Sequence, residues 1–228
     1  AEKAKKIVVV GAGYIGVELA EAFELKGKEV VLIDGEDRIM PKYLDKEFTD
    51  LAQKAFTDHG IKLALGQKVK GFKTENNLVT HIVTDKEEFE TDLVIMCIGF
   101  RPNQALYQGK LNTTPNGALV VNEYMQTSNK DVFACGDCVN IYYNPTEEYR
   151  YIPLATNAVR MGTLVGLNIL SNKVPYQGTQ GTSGIQIYDL SISSTGLTEG
   201  VAKESNINYG VVTIHDNNRP EFMPTFFN

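Results

Sequence analysis

Apolar residues in this chain come in short runs cut by glycines and charged turns. Lys6 to Val10 is a β-branched run that stops at Gly11. From Ile15 to Lys26, the residues Ile15, Leu19, Ala22 and Phe23 recur at helical spacing before Gly27, which suits the left-handed position after a helix. Glu29 to Ile33 repeats the buried-strand pattern and stops at Asp34. The pattern therefore predicts strand, turn, helix and strand over about 30 residues, a βαβ unit whose two strands run parallel. A second helix is predicted with Phe48, Leu51, Ala52, Ala55 and Phe56 on its apolar face, Asp45 at its N-cap and Gly60 after its end. Ile61 to Leu65 returns to strand. Between Lys68 and Glu90 the runs become short and polar around Asn76-Asn77, the mark of a solvent-facing antiparallel meander. Leu93 to Ile98 is apolar throughout, as a central strand is.

Beyond Val121 the pattern changes. Asp131 to Asp137 predicts a strand ending in a polar turn, and Ala155 to Leu170 predicts a helix that carries Ala and Gly. A Gly-, Thr- and Ser-rich stretch from Pro175 to Gly184 precedes alternating strands at Ile185 to Ile192 and Tyr209 to Ile214. The expected division is 1–122, 123–174 and 175–228. The expected fold class is α/β, with a Rossmann-like parallel sheet and an antiparallel meander in the first part.

Composition narrows the function. With 228 residues, 43% of them hydrophobic and 22% charged, this is an ordinary soluble globular chain, and no apolar run approaches the ~20 residues that span a bilayer. The formal net charge of -6 comes with no basic stripe, which argues against nucleic acid as a partner. Three cysteines cannot all pair and no signal-peptide pattern opens the chain, so a reducing cytoplasm is the expected compartment. The chain starts at Ala1 with no initiator Met, and Phe226-Phe227-Asn228 closes it with neither turn nor cap. Both ends read as cut from something longer.

The chemistry sits in the glycines. Gly11-Ala12-Gly13-Tyr14-Ile15-Gly16 lies between a strand and a helix, so that Gly11 can make the tight turn, Gly13 can admit a pyrophosphate and Gly16 can let helix and strand pack closely. The helix N-terminus then faces the phosphates. Asp34, at the end of the next strand, supplies a carboxylate for ribose hydroxyls and would repel a 2′-phosphate, which favours NAD over NADP. Arg38 is flanked by Glu36 and Asp37 and is read as a solvated loop residue. Cys135-Gly136-Asp137-Cys138 has dithiol or zinc spacing, but a zinc site needs about four ligands, and His59, His81 and His215 lie on separate elements. A redox pair opens a helix, whereas this one follows a strand-like run, so both cysteines are read as packing residues, and Cys97 as core. No metal site and no Ser/His/Asp set is expected.

Three motifs in this order resemble the pyridine-nucleotide-dependent flavoprotein disulfide reductases: Gly11 to Gly16, then Cys97-Ile98-Gly99-Phe100-Arg101-Pro102-Asn103, then Val132-Phe133-Ala134-Cys135-Gly136-Asp137. Tyr43 to Phe48, Tyr151 to Asn157, Gly181 to Gly184 and Arg219 to Met223 are similar to the NADH oxidase and NADH peroxidase branch. The resemblance implies an NAD domain at 1–122 inserted into an FAD domain, of which 123–174 is the C-terminal part, and an incomplete α+β dimerisation domain from 175 to 228. It implies that NAD meets Gly11, Gly13, Tyr14, Ile15, Gly16, Asp34, Tyr43 and Gly99, with Glu18, Pro153 and Gly184 on the nicotinamide side. FAD would meet Asp137, Leu154 and Ala155.

The family's own FAD glycine motif and reactive cysteine are absent, and the resemblance puts both upstream of Ala1. No catalytic residue is therefore expected in this chain, and the chain alone is expected to be inactive. The implied function is the NADH-binding portion of a flavin-dependent NADH oxidase of the water-forming type, passing hydride to the flavin and electrons on to oxygen. NADH peroxidase and coenzyme A disulfide reductase are the related alternatives, with oxygen, peroxide or a disulfide as acceptor. A flavin-free NAD-dependent dehydrogenase and a non-catalytic NAD-sensing module are the alternatives outside that branch. A homodimer or homotetramer is expected of the complete protein.

Overall fold

A computed structural model describes residues 2–216. The expected βαβ unit is present: β1 (Lys6–Val10), α1 (Tyr14–Glu24) and β2 (Glu29–Ile33), followed by α2 (Lys46–Asp58) and β3 (Lys62–Ala64). The meander is β4 (Val69–Glu75), β5 (Leu78–Thr84) and β6 (Glu88–Glu90), and β7 (Leu93–Met96) returns to the first sheet. That sheet is parallel with order β3-β2-β1-β7. The fold is α/β, as the sequence pattern predicts.

Alternation along the parallel strands divides their side chains between two faces. Ile7, Val9, Val30 and Leu32 point to the helices, where they join Val17, Ala20, Ala52 and Phe56. Val8, Val10, Val31 and Ile33 point the other way, onto Ile82 and Phe89 of the meander. Both faces are covered, so β1, β2 and β3 are apolar at every position after their first residue. The same cause explains β7. It stands at the edge of the parallel sheet rather than at its centre, yet Leu93 and Ile95 face the helical core and Val94 faces the meander. Continuous hydrophobicity reports two covered faces, not two neighbouring strands.

A second body follows. β8 (Leu119–Val120) and β9 (Val139–Tyr143) pair in parallel, β10 (Glu148–Arg150) pairs antiparallel with β9, and α3 (Ala155–Asn168) packs Met161 against Leu119, Val121, Met125, Val139 and Ile141. The predicted strand over Asp131 to Asp137 is not formed. Phe133 makes one bridge to Gln126, and the strand comes after the Gly136 turn.

The last described elements are β11 (Ser183–Ile187), β12 (Leu190–Ser194) and α4 (Glu199–Glu204). The alternating run expected over Ile185 to Ile192 is an antiparallel hairpin that turns at Tyr188-Asp189. Its Ile185, Ile187 and Ile192 join the helix-side core of the first body. Tyr209 to Ile214 forms no strand, and Val212 stays 84% exposed. A period of two becomes a strand only where a partner strand is available to pair with it. Ala1, the point ahead of which the reactive cysteine is expected, lies outside the described residues, as do the Arg219 to Met223 motif and the terminal Phe226-Phe227-Asn228.

Two expectations for α2 are corrected. Its buried face is Thr49, Ala52 and Phe56, while Phe48 and Leu51 are about half exposed, because the helix is rotated so that its seven-residue spacing from Thr49 to Phe56 meets the sheet. Asp45 occupies the N-cap position but makes no capping bond to α2. Its Oδ1 instead accepts from the amide of Glu199 at 2.8 Å, tying α2 to the start of α4. Among the described residues no helix is long and apolar enough to cross a membrane.

The rotation of α2 gives a measurable contrast. Phe56→Ala, at a site with no exposure, is expected to cost about 3–5 kcal/mol of stability, and Leu51→Ala about 1 kcal/mol or less. Urea denaturation of both variants checks this, and equal losses would overturn the assigned face.

Candidate functional site

Gly11, Asp34 and Gly99 stand at or just beyond the C-terminal ends of β1, β2 and β7, along one edge of the parallel sheet, where ligands bind in open α/β sheets. The Gly11 amide donates to the Ile33 carbonyl at 2.7 Å and the Cys97 amide to the Val10 carbonyl at 2.6 Å, which draws the three strand ends together. Gly11 has a φ of 102°, and a Cβ there would lie inside 3.0 Å of the Cys97 carbonyl. A Cβ on Gly16 would collide in the same way with the Gly11 carbonyl. At Gly13 a Cβ would meet nothing within 4 Å. Two of the three glycines therefore allow backbone contacts inside the protein, and the third leaves open space at the mouth of the turn.

Gly13 is also the N-cap of α1, and no side chain caps that end. The first amides of a helix have no carbonyl behind them, so this end presents donors and the positive end of the helix dipole to an anion. Asp34 lies against the turn. Its Oδ2 accepts from the Ala12 amide at 2.5 Å and its Oδ1 from the Glu36 amide at 2.8 Å. The donor set and the open Gly13 fit a pyrophosphate with a ribose beside it.

The loop after β2 folds back over this turn. The Met40 amide donates to the Ala12 carbonyl at 2.9 Å, with Met40 itself at a φ of 48°. Tyr43 is thereby brought onto Tyr14, ring centroids 4.5 Å apart, and burial followed by the Tyr14 hydroxyl raises the Tyr43 phenol above its ordinary range. Arg38 is not the solvated residue its acidic neighbours suggest. Its guanidinium donates to the carbonyls of Leu44 at 2.8 Å and Pro41 at 3.2 Å and to Thr49 Oγ1 at 3.4 Å, holding the loop shut and leaving its charge committed to protein oxygens.

Gly184 reaches the same region through its neighbour. Ser183 Oγ lies 2.7 Å from the Tyr14 hydroxyl. Ile15 is half exposed beside the turn, and Glu18 is exposed one helical turn on from Tyr14, on the same face of α1. Neither Ser183 nor the loop-holding part of Arg38 is marked in the sequence by its own chemistry. Ser183 stands there only as a member of the Gly181 to Gly184 motif.

The second set of expected residues belongs to the second body. Gly136, with a φ of 85°, turns the chain so that Asp137 is exposed just before β9. Pro153 and Leu154 lead into α3, Leu154 at its N-cap and Ala155 exposed in its first turn. The Tyr151 phenol, between the two segments in the chain, is raised above its ordinary range by burial first, then by Asp137 and Cys138. Side-chain hydrogen bonds also link the second body to the segment around the hairpin. Asn157 of α3 accepts from Thr179 Oγ1 at 2.9 Å, and the Tyr143 hydroxyl donates to the Gly196 carbonyl, just past the hairpin, at 2.7 Å.

All three cysteines are free thiols. The Cys138 thiol donates to the Cys135 carbonyl at 3.4 Å, and burial, then Cys135 and Asp137, push it up from the ordinary thiol range. Burial also raises Cys97. A raised thiol holds little thiolate and is a poor nucleophile. Among the described residues no group of three or more His, Cys, Asp or Glu could hold a metal ion.

The family profile described as Pyridine nucleotide-disulphide oxidoreductase matches residues 1–162. The chain is 54% identical over 226 residues to an NADH oxidase of Enterococcus faecalis, covering 99% of this chain and 51% of that one. An NADH oxidase of Streptococcus pyogenes is 48% identical over 219 residues, covering 96% of this chain and 48% of that one. Among solved structures, a water-forming NADH oxidase from Lactobacillus brevis bound to NADH superposes with a TM-score of 0.94 at 52% identity, covering 98% of this chain and 50% of that one. An engineered variant of it, a water-forming NADPH oxidase bound to NADPH, superposes equally at 0.94, with 50% identity over 98% of this chain and 50% of its own. The chain spans about half the length of the relatives it matches. Its glycine turn and its Gly136-Asp137 turn both fall inside the matched span, and on that ground this chain belongs to the pyridine nucleotide-disulphide oxidoreductase family.

Proposed function

We propose that this chain is the NADH-binding side of a flavin-dependent NADH oxidase that reduces oxygen to water. The observation that carries the reading is the Asp34 carboxylate lying against the Gly11 to Gly16 turn at the edge of the parallel sheet. In this reading Gly11, Gly13, Tyr14, Ile15, Gly16, Asp34, Tyr43 and Gly99 hold NADH, with Glu18, Pro153 and Gly184 toward the nicotinamide. Asp137, Leu154 and Ala155 form one side of the FAD site. The reactive cysteine of the whole enzyme belongs to a segment upstream of Ala1. Bound NADH and FAD would supply a hydride donor and its acceptor. Residues 1–122 act as the dinucleotide domain, 123–174 as the C-terminal part of the flavin domain, and 175–228 as the start of a dimerisation domain. A homodimer or homotetramer in the cytoplasm completes the proposal, in keeping with three free thiols.

Cofactor choice follows from side chains. The NADH-bound and NADPH-bound neighbours superpose equally well, so the backbone does not select the nucleotide. In this chain a carboxylate ends β2, and the nearby Arg38 is held by carbonyls. Oxygen is favoured as acceptor over peroxide or a coenzyme A disulfide because the relatives named above, and others down to 40% identity, are NADH oxidases.

The chain is expected to bind NADH at least tenfold more tightly than NADPH, since a charge-assisted pair contributes roughly 1.5–3 kcal/mol, or about tenfold to a hundredfold. Asp34→Ser should erase most of that difference. Calorimetric titration with both nucleotides checks this, and equal affinities for the unsubstituted chain would remove Asp34 from the role.

Oxygen uptake tests the larger reading. With NADH and added FAD, the isolated chain should consume no oxygen, while a chain extended upstream by a flavin-binding half should consume it and release almost no peroxide. Rapid uptake by the isolated chain, or stoichiometric peroxide from the extended one, would overturn the proposal.

In that extended protein, replacing Cys135 and Cys138 together by Ser should leave turnover within about threefold, because the Cys138 thiol is raised by burial and a raised thiol is a poor nucleophile. A loss of about a thousandfold with FAD retained, roughly 4 kcal/mol of barrier, would make the pair part of the electron path.

A further inference from the structure

The hairpin β11–β12 lies along α1 and is pinned at both ends. At one end Ser183 Oγ meets the hydroxyl of Tyr14, the first residue of α1. At the other, the Tyr188 amide donates to Glu21 Oε1 at 2.7 Å and its hydroxyl to Glu24 Oε2 at 3.0 Å, in the last turns of the same helix. The spans match: Tyr14 to Glu24 covers about 15 Å of helix and Ser183 to Tyr188 about 17 Å of strand. Tyr188 also reaches α2, stacking face to face on His59 with centroids 3.6 Å apart and meeting Phe56 edge-on at 5.9 Å. It does so at a φ of 50°, a conformation that a bulky residue adopts only when its surroundings hold it there. Far from the glycine turn along α1, one side chain thus binds both helices of the first body to the hairpin.

We infer that Tyr188 is a positioning residue for the nicotinamide end of the dinucleotide site, holding the hairpin along α1 so that Ser183 and Gly184 sit at Tyr14. The inference rests on the dinucleotide reading proposed above. Tyr188 has no part in holding adenine, ribose or pyrophosphate, whose expected contacts are on the glycine turn and Asp34. Loss of its side chain removes the Glu24 bond and the ring contacts with His59 and Phe56, leaving that end held only by the amide bond to Glu21, and the Ser183–Tyr14 contact at the other end loses its alignment.

NADH and ADP-ribose, which lacks the nicotinamide, separate the two halves of the site when titrated calorimetrically into the full chain. Tyr188→Ala is expected to weaken NADH about tenfold, the equivalent of one or two hydrogen bonds, and to leave ADP-ribose unchanged. Tyr188→Phe keeps the ring on His59 and Phe56 and gives a smaller loss of the same selectivity; it carries the test if the alanine variant does not fold. Because Tyr188 acts through Ser183, Ser183→Ala should add little to Tyr188→Ala in the double variant. The inference is overturned if NADH and ADP-ribose weaken together, if neither weakens, or if the two single losses add in full. An unsubstituted chain that binds neither compound would take the dinucleotide reading down with it, an outcome distinct from all three.

Discussion

The structure of the first body depends on how closely α1 approaches the strand that precedes it. Peptide backbone meets peptide backbone at Gly16 on Gly11 and at Gly11 on the end of β7, with no room for a side chain at either contact. Such closeness removes a layer of side chains that would otherwise separate helix from sheet. It also leaves the helix end uncapped by any side chain and pointing outward. A single added methyl at Gly16 would have to push α1 away from β1, and every contact hung on the turn would move with it.

Those contacts are polar and they converge on Ala12. Its amide donates to Asp34 and its carbonyl accepts from Met40, so one residue of the turn fixes both the end of β2 and the loop that follows. Arg38 closes that loop from within by donating to two carbonyls and a hydroxyl. A half-buried guanidinium needs acceptors, and here the backbone supplies them in place of a carboxylate. The electrostatic consequence is a site edge made negative by Asp34, Glu36 and Asp37, beside a helix end that is positive. A ligand suited to both carries anionic phosphate and neutral hydroxyls close together.

The βαβ unit, the second helix and the meander were legible in the sequence because each is set by neighbours a few residues away: a glycine, a period, a β-branched run. The site was legible as far as it is local, in the glycine turn and in Asp34. What stayed hidden depends on contacts far apart in the chain. Nothing near Asp45 says that it serves Glu199, and nothing near Tyr188 says that it will stack on His59 and bond to Glu21 and Glu24. Apolar period misled where it lacked a partner. Phe48 and Leu51 satisfy the helical spacing but face outward, and Tyr209 to Ile214 alternates without a strand to pair with. Periodicity says which residues could share a face; only the rest of the fold decides whether that face is covered.

The hairpin shows why a boundary read from composition and a boundary drawn by packing differ. The Gly-, Thr- and Ser-rich stretch before Gly184 has the character of a connection between units, yet Ile185, Ile187 and Ile192 beyond it bury themselves against the core that Ile7, Val9 and Leu32 begin. Burying such side chains contributes about 1.5–3 kcal/mol each, so the hairpin stabilises the first body as well as its own turn. The polar link through Thr179, Asn157, Tyr143 and Gly196 then fastens the second body to the same connection. One short segment therefore sets where both bodies stand relative to the glycine turn. Among the residues expected to face a nicotinamide, Glu18 is placed by α1, whereas Gly184 and the second body that carries Pro153 are tied to the first body through that segment.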